Sequence, residues 1–514
     1  MAKRNKDEQL GHIRVRPHCS ICNDILIPKE RIVALLGNRN STDCELHTDV
    51  ASFPDHGHNI QRASGRILCR YPDCKRCATS PEASSMHAEC FEIFTRDWTL
   101  GKALNLLWIA TAWRNPWRGA PDLRLHSKIN IALSNLPATE KHCIPQLSLL
   151  PPELIRVIQK YSERCILALD LVYRLSAVAS NDLVSVPLRG LSTWQRGDWP
   201  IAAVAPAGHI IRLTIDCHGI KKIERLSKYP PCTGSRFDNM AFVIQEESHF
   251  DDVVAWFTRG LLRLELPEAS LGLQIWDTPA PPDLEHCTFC PANITASTRF
   301  RTIDMRKTIG ITFFFCRGEV YAIHSHTSTM PCAKTTLEHL SCRRRRVVAW
   351  VYIPISPRDQ VVAFGTQLEQ QSEGHFITEQ PRFLFRTKLA GDVSIGPYHS
   401  GHTRDFILSK APPATLIYNT ADIQPVSTIG AYSKEERICG PITPFSHPTL
   451  DEPPFQDACF SSAPLESVTR VKIFYNEENG HCRGILFDYD NGAQQALGQC
   501  RLGVDPHRTC VKPS

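Results

Sequence analysis

Short apolar runs alternate with turn residues along the chain after about residue 205. The runs are rich in β-branched and aromatic side chains, and Pro, Gly, Asn and Asp lie between them. This pattern is typical of β-strands joined by tight turns. The strands predicted from it are His209–Ile215, Met240–Gln245, Leu261–Leu266, Ile309–Cys316, Val347–Ile353, Gln360–Phe364, Arg382–Leu389, Thr415–Tyr418 and Arg470–Tyr475.

Two hairpins are predicted near the end of the chain. Val471–Tyr475 and Cys482–Tyr489 flank the turn Asn476–Gly480. The turn Asp490–Gly492 then precedes Ala493–Gln499, and an Asn-Gly turn between apolar runs favours an antiparallel pair. We therefore expect a large, mostly antiparallel β-rich C-terminal region.

Helical spacing of apolar residues occurs earlier in the chain. One run lies between residues 99 and 120 and is ended by Pro116 and Gly119. A second lies at about residues 150–180, where Pro151 and Pro152 suit a first helical turn. The expected fold class is α+β, with a small zinc-stabilised N-terminal module, a helical middle and the β-rich region. The expected domains are 1–98, 99–195 and 196–514, the last with a possible split near 280–300.

The chain has 514 residues, 42% of them hydrophobic, and a formal net charge of +5. The start has charged residues but no apolar leader segment. The most apolar stretch, Leu104–Trp113, is about half the roughly twenty residues that a membrane-spanning helix needs. These features predict an intracellular protein, cytoplasmic or nuclear, that does not enter a membrane. The small net charge makes a nucleic-acid partner unlikely.

Cysteine and histidine cluster in the first ninety residues. In a reducing compartment, clustered cysteines are typical of metal sites. Zinc prefers thiolate and imidazole ligands, and two ligands separated by two residues can bind it from one turn. The candidate ligands are Cys19, Cys22, Cys69, Cys74, Cys77, His87 and Cys90. No carboxylate is among them, so the spacing predicts structural zinc, with His87 and Cys90 opening a helix as in treble-clef sites.

Three assignments of ligands to ions are open from the sequence. The first joins Cys19 and Cys22 to His87 and Cys90, and gives Cys69, Cys74 and Cys77 to a second ion. The fourth ligand of that ion would be one of Cys44, His47, His56 and His58. The second assignment is a compact site of Cys74, Cys77, His87 and Cys90. The third is a RING cross-brace, for which the gap from Cys22 to Cys69 is long.

Four weaker signals occur outside this cluster. Leu150–Ile158 resembles the start of an F-box, which docks onto a Skp1-type adaptor, although an ordinary amphipathic helix has the same pattern. The Arg343–Arg346 run suits a solvated strand entrance better than nucleic-acid binding. His324 and His326, with Cys332 following, are more typical of half-buried strand histidines than of a metal site. Cys287-x2-Cys290 is a lone pair of cysteines.

Four stretches carry a resemblance to a known family. They are LPPELIRVIQKYS, AWRNPWRGAPDL, IIRLTIDCHGIKKIERL and FSSAPLESVTRVKIFYNEENGHCRGILFDYDNGAQQALGQCRLG. From about Cys69 onward the chain resembles an uncharacterised protein family of filamentous fungi, of Fusarium-like species especially. The resemblance implies a Cys/His-bearing N-terminus, a helical middle and a long β-rich region. It also implies a chain that continues past Pro513-Ser514, and it implies no activity.

No catalytic signature of a serine hydrolase, P-loop enzyme, dinucleotide-binding enzyme, metalloprotease or kinase occurs in the sequence. Whether the protein is an enzyme stays open, with a non-enzymatic role favoured. The expected function is protein interaction supported by structural zinc, with unknown protein partners and oligomeric state. The alternatives are an F-box/RING-like ubiquitin-ligase component and a jacalin-like carbohydrate-binding protein, because the hairpins at 470–500 resemble jacalin-like sheets.

Overall fold

The structure is a computed structural model. It describes residues 11–38, 41–55, 61–71, 74–96, 98–123, 125, 151, 183–202, 208–267, 272–290, 299–340, 342–370, 380–399, 401–420, 424–434, 443–447 and 458–511. The chain divides into two compact units. The first unit comprises Met1–Tyr229 and Asp238–Gly272, and the second comprises Pro230–Phe237 and Leu273–Ser514.

The first part of the first unit mixes short strands with helices. Its elements are β1 (His12–Arg14), β2 (Arg31–Gly37), β3 (Leu46–His47), β4 (Ala51–Ser52), β5 (Arg62–Ala63), β6 (Arg66–Cys69), α1 (Lys75–Thr79), β7 (Glu82–His87), α2 (Ala88–Thr95) and α3 (Leu100–Ala112). Strand β6 lies between β1 and β5, and β1 runs parallel to β6. Strand β2 pairs with β3, β4 and β7, in each case antiparallel.

One hydrophobic core joins these elements. Strand β2 is buried along almost its whole length, and α3 is buried over most of its length. Trp108 of α3 is fully buried, and Leu261 from much later in the chain belongs to the same core. The Cys/His segment therefore shares its core with α3, although the sequence places a boundary near residue 98.

From residue 183 onward, the described part of the first unit contains antiparallel strands. Its strands are β8 (Val184–Pro187), β9 (Trp194–Gln195), β10 (Ile210–Asp216), β11 (Gly219–Leu226), β12 (Ala241–Glu246), β13 (Val254–Thr258) and β14 (Leu261–Glu265). They form the strand orders β12-β10-β11-β9 and β14-β13-β8.

The second unit is almost entirely β-structure. Its strands are β15 (Ile275–Trp276), β16 (Cys287–Phe289), β17 (Arg299–Asp304), β18 (Gly310–Cys316), β19 (Glu319–His326), β20 (Ala349–Pro354), β21 (Val361–Glu369), β22 (Arg382–Thr387), β23 (Gly391–Pro397), β24 (Thr403–Ser409), β25 (Thr415–Asn419), β26 (Ile429–Tyr432), β27 (Cys459–Phe460), β28 (Val468–Tyr475), β29 (Cys482–Tyr489), β30 (Gln494–Gly498) and β31 (His507–Val511). Two short helices, α4 (Lys334–Glu338) and α5 (Cys342–Val347), precede β20.

These strands form the orders β16-β26-β25-β17-β15, β19-β18-β20, β24-β21-β22-β23-β27 and β30-β29-β28-β31. Aromatic side chains dominate the largest core of the second unit. Phe313 stacks on Phe383 with ring centroids 4.6 Å apart, and Phe364 lies 4.8 Å from Phe385. The alternation of apolar residues along each strand buries these rings on one face.

The strand predictions after residue 205 are confirmed, including both hairpins near the end of the chain. The helix predicted between 99 and 120 is α3. The second predicted helical run lies outside the described residues, except for Pro151. The helical middle as a whole is not supported, because the described part of 99–195 also holds strands β8 and β9.

Among the described helices, none is long and apolar enough to cross a membrane.

Candidate metal centres

Two groups of four Cys and His side chains lie in the first unit. Site 1 consists of Cys19, Cys22, His87 and Cys90, and site 2 consists of His12, Cys69, Cys74 and Cys77. Within each group, the ligand atoms all lie within 4.8 Å of one another. Each group therefore has the composition and the spacing of a four-coordinate metal site.

The first two ligands of site 1 lie on a tight turn after β1. The Cys19 amide donates to the Asp24 carbonyl, and the Asn23 amide donates back to the Cys19 carbonyl, each at 2.8 Å. Asn23 has a φ of 60°, a left-handed conformation that asparagine tolerates better than most residues. Arg114 from beyond α3 donates to the Ser20 carbonyl at 2.8 Å, which ties this turn to the core of the first unit.

The other two ligands of site 1 lie where β7 meets α2. Strand β7 ends at His87, which also occupies the N-cap position of α2, and Cys90 lies in the first turn of that helix. Strand β7 is held in place by antiparallel pairing with β2. The prediction that His87 and Cys90 open a helix is confirmed.

The distances in site 1 suit a tetrahedral ion. His87 Nδ1 lies 3.4 Å from Cys22 Sγ and 3.8 Å from Cys90 Sγ. The His87 amide also donates to Cys19 Sγ at 3.4 Å. A zinc ion bound tetrahedrally by sulfur and nitrogen places such atoms about 3.5 Å apart.

Mutual contacts shift the proton affinities in site 1. Burial opposes ionisation of Cys19, but contacts with Cys22, Cys90 and His87 outweigh burial and hold the pKa of Cys19 well below its ordinary value. The thiols of Cys19 and Cys22 raise the pKa of His87 to about 11. Contact with Cys19 in turn raises the pKa of Cys22. A bound cation in place of these protons would favour the thiolate form of the cysteines.

Site 2 depends on the parallel pairing of β1 with β6. In this register His12 lies opposite Ile67 and Arg14 lies opposite Cys69, so that His12 and Cys69 are two positions apart across the strand pair. Cys74 occupies the N-cap position of α1, and the Cys77 amide donates to the Cys74 carbonyl at 3.0 Å. His12 Nδ1 lies 3.4 Å from Cys74 Sγ. Contact with Cys77 is the largest cause that lowers the pKa of Cys69 to about 5.

The grouping of the side chains agrees with the first of the three assignments, except for the fourth ligand of site 2. It does not group Cys74 and Cys77 with His87 and Cys90. The order of ligands along the chain nevertheless alternates between the sites, as in a cross-brace, since His12 precedes the site 1 turn and Cys69 follows it.

The fourth ligand of site 2 is His12, which is none of the predicted candidates. Cys44 Sγ lies instead near the Leu36 and Leu46 carbonyls. His47 Nδ1 donates to the Thr48 carbonyl at 3.1 Å, and the His47 ring packs against Phe91. His56 and His58 lie outside the described residues. The sequence feature that could have indicated His12 is the alternation of polar and apolar residues in HIRV, which is typical of a short strand.

Both sites are closed. Each has three thiolates and one imidazole, and neither includes a carboxylate among its described ligands. Closed Cys/His sets of this kind stabilise a fold, whereas catalytic zinc sites keep one position for water or substrate. The arrangement can therefore fix the turn, the strands and the helix starts relative to one another.

The weaker candidates have structural explanations. His324 and His326 lie on β19, where His324 hydrogen-bonds Thr336 at 2.8 Å and His326 hydrogen-bonds Thr312 at 2.7 Å. Burial raises the pKa of both Cys287 and Cys290, which makes reactive thiolates unfavourable. Leu150–Ile158 lies outside the described residues apart from Pro151.

The four-arginine run precedes a strand, as its interpretation as a strand entrance requires. It lies in α5, directly before β20, rather than at the start of the strand itself. The guanidinium of Arg344 lies 3.9 Å from the centre of the Tyr321 ring, so that aromatic contact holds part of the run against the fold.

Comparison with known proteins does not identify a family for this chain. No protein-family model and no curated protein matches the chain. One solved structure that it matches is the Calsepa lectin in complex with a bisected glycan, at 11% identity and a TM-score of 0.19. The match covers 30% of this chain and 100% of the lectin chain. A TM-score this low carries no argument about fold or function.

Proposed function

We propose that this chain is a non-enzymatic binding protein whose N-terminal region is built around two structural zinc ions. The observation that carries the proposal is the pair of closed three-cysteine, one-histidine groups. Both groups are largely shielded from water, and Cys19 and Cys22 are almost completely buried. Shielded, fully liganded ions stabilise a surface and do not take part in turnover.

Zinc is the metal that this donor set suits best. Thiolate ligands disfavour magnesium and calcium, which take oxygen ligands. A mixed thiolate and imidazole shell of four ligands is typical of structural zinc. A reducing, intracellular setting, in which thiols persist as ligands, belongs to the same proposal.

A protein-binding role is supported by apolar side chains beside site 1. Ile25 and Ile27 follow the Cys19–Cys22 turn directly and are 41% and 53% exposed. The zinc-bound turn would hold them in a fixed conformation, which reduces the ordering cost of binding a partner.

Metal content of the full chain tests the zinc proposal. Purified from zinc-supplemented medium, the protein should contain two equivalents of zinc. Cys22→Ser and Cys74→Ser should each lower that content, because each removes a thiolate ligand. Cys44→Ser is the matched control, since Cys44 is a partly buried cysteine of the same core outside both sites.

Cobalt substitution gives a second measurement. Cobalt(II) in either site should show the strong sulfur-to-metal absorption of thiolate coordination, equal in the wild type and in Cys44→Ser. A folded chain that contains no zinc and shows no such absorption would overturn the proposal.

The alternating ligand order favours a second candidate function, RING-like ubiquitin ligation. Discharge of ubiquitin from a panel of conjugating enzymes tests it, with Cys22→Ser as the inactive control. Adaptor docking through the F-box-like segment is a separate proposal. It predicts co-purification with a Skp1-type adaptor that Leu154→Ala and Ile158→Ala abolish, and no adaptor binding by the wild type would remove it.

A further inference from the structure

The two sites differ in the group that lies next to the Nε2 atom of their histidine. In site 1, His87 directs Nδ1 toward the sulfurs, while Nε2 lies 3.4 Å from Glu30 Oε2. In site 2, His12 Nδ1 lies near Cys74, but His12 Nε2 is buried without a hydrogen-bond partner among the described residues. Among the residues that the structure describes, a carboxylate lies behind the His87 imidazole, and no hydrogen-bond partner lies behind that of His12.

Glu30 is held in position for this contact. The same oxygen, Oε2, accepts a hydrogen bond from the Ile27 amide at 2.6 Å. The Glu30 amide in turn donates to the Ile27 carbonyl at 3.0 Å, so that a tight turn fixes the residue. The carboxylate is thus tied by a hydrogen bond into the loop between the site 1 turn and β2.

A carboxylate in this position changes how an imidazole binds metal. When Nδ1 binds the ion, Nε2 carries the proton, and a carboxylate that accepts this proton fixes the tautomer and the ring orientation. It also makes the imidazole a stronger ligand. Loss of such a partner typically weakens metal binding by roughly 10- to 100-fold.

A cation lies beside the turn of site 1. Arg114 donates to the Ser20 carbonyl at 2.8 Å and to the Ile21 carbonyl at 3.3 Å, both within the turn that holds two thiolates of site 1. A guanidinium beside this turn favours the net negative charge that a three-thiolate zinc site would carry.

We propose that Glu30 is a positioning residue for His87, and that site 1 consequently binds its zinc ion more tightly than site 2. The two sites then fill and empty in a fixed order, with site 2 releasing its ion first. This inference rests on the proposed function, because it assumes that both groups bind zinc.

Competition with a chromogenic zinc chelator tests the order on the full, zinc-loaded chain. Release should occur in two phases of one equivalent each. Alkylation of the thiols during release, mapped by mass spectrometry, should label Cys69, Cys74 and Cys77 in the first phase. Cys19, Cys22 and Cys90 should be labelled in the second. This measurement needs no variant, so it does not depend on whether a substitution folds.

Glu30→Gln tests the role of the carboxylate. Glutamine keeps an oxygen for the Ile27 amide but removes the charge. The variant should therefore lower the zinc affinity of site 1, measured in the slow phase, by roughly 10- to 100-fold. The zinc affinity of site 2, measured in the fast phase, should stay unchanged. Glu89→Gln is the matched control, because Glu89 lies on α2 next to Cys90 but is exposed and contacts Arg31. In zinc-loaded protein, the Nε2 resonance of His87 should also shift in Glu30→Gln and not in Glu89→Gln.

Three outcomes separate the possibilities. Simultaneous release from both sites, or labelling of the site 1 cysteines first, would overturn the proposed order. Two ordered phases that Glu30→Gln leaves unchanged would overturn the role of Glu30. A chain that binds no zinc at all would instead contradict the proposed function.

Discussion

His12 completes site 2, although the residues next to it in the sequence do not predict a metal ligand. It lies far from Cys69, Cys74 and Cys77 along the chain and has no second ligand two or three residues away. Its position beside them results from the pairing of β1 with β6. Replacing His12 should therefore lower zinc binding at site 2 and leave zinc binding at site 1 unchanged.

His12→Ala should lower the zinc content of the full chain from two equivalents to one. His47→Ala should leave it at two, because His47 packs against Phe91 and is not part of either group. Elemental analysis of both variants at equal protein concentration checks the expectation. Equal zinc loss in the two variants would contradict the assignment of His12.

Asp392 is a residue whose charge should make stability depend on pH. Burial disfavours its ionised form, but Arg386, which binds both carboxylate oxygens at 2.6 and 2.9 Å, and the Ser446 amide outweigh burial and lower the pKa of Asp392. Arg386 also donates to the Thr443 and Pro444 carbonyls, so the pair holds this segment against β22 and β23.

A lowered carboxyl pKa gives stability that is complete above the unfolded value, about 3.9, and is lost as the pH falls through the folded value. Asp392→Asn should therefore reduce the free energy of unfolding by about 1–3 kcal/mol at pH 7. The difference from the wild type should shrink below about pH 4. Urea unfolding of both proteins from pH 7 to pH 3 checks this, and a difference independent of pH would contradict it.

At the scale of elements, β2 and α3 pack closely through one glycine. A Cβ added to Gly37 would lie 2.5 Å from the Trp108 ring, which is buried and donates its indole N–H to the Ser41 carbonyl at 2.9 Å. Neither partner can move easily, because β2 is paired on both sides and α3 is embedded in the core. Glycine at this position is thus a packing requirement rather than a flexible point.

Gly37→Ala should lower the free energy of unfolding by about 1–3 kcal/mol through overpacking. Gly101→Ala is the matched control, since a Cβ at Gly101 meets nothing within 4 Å and alanine favours a helix more than glycine does. Urea unfolding followed by tryptophan fluorescence should show the opposite sign for the two variants. Destabilisation by Gly101→Ala and not by Gly37→Ala would refute the packing argument.

The helix starts at the two sites follow one rule. Cys74 and His87 each occupy an N-cap position, and a second ligand, Cys77 or Cys90, lies three residues later. This spacing places both side chains on the same side of the first helical turn. Short helices such as α1 are marginal in isolation, so a bound ion would supply much of their stability.

At the scale of the whole molecule, both candidate sites belong to the first unit. The second unit has aromatic cores of its own and no comparable Cys/His group among its described residues. Metal removal should therefore act on the two units differently.

Chelation of zinc in the full chain should increase amide hydrogen exchange in β1, β6 and β7, because their positions depend on the ligands that they carry. Exchange in β28 and β29 should stay unchanged, because this hairpin has its own core around Phe474 and Leu486. Hydrogen exchange measured by mass spectrometry with and without chelator checks both statements. Equal loss of protection in the two regions would contradict the separation, and restored zinc should reverse the change.

The sequence by itself determined many strands of the β-rich region and seven of the eight candidate ligands, whereas a strand such as β24 was not predicted. Strand alternation and two-residue ligand spacing are local patterns, and residues close in sequence obey them whatever the rest of the chain does. The start of α2 at the His87/Cys90 pair was predictable for the same reason.

Only the tertiary structure decided how the ligands divide between two ions. The choice of His12 depends on the register of β1 with β6, and the contact of Glu30 with His87 depends on a turn that precedes β2. Such contacts join residues that are distant in the chain, and the free energy that selects them comes from burying the shared core. The spacing of residues within one segment therefore cannot predict how the ligands divide between the two sites.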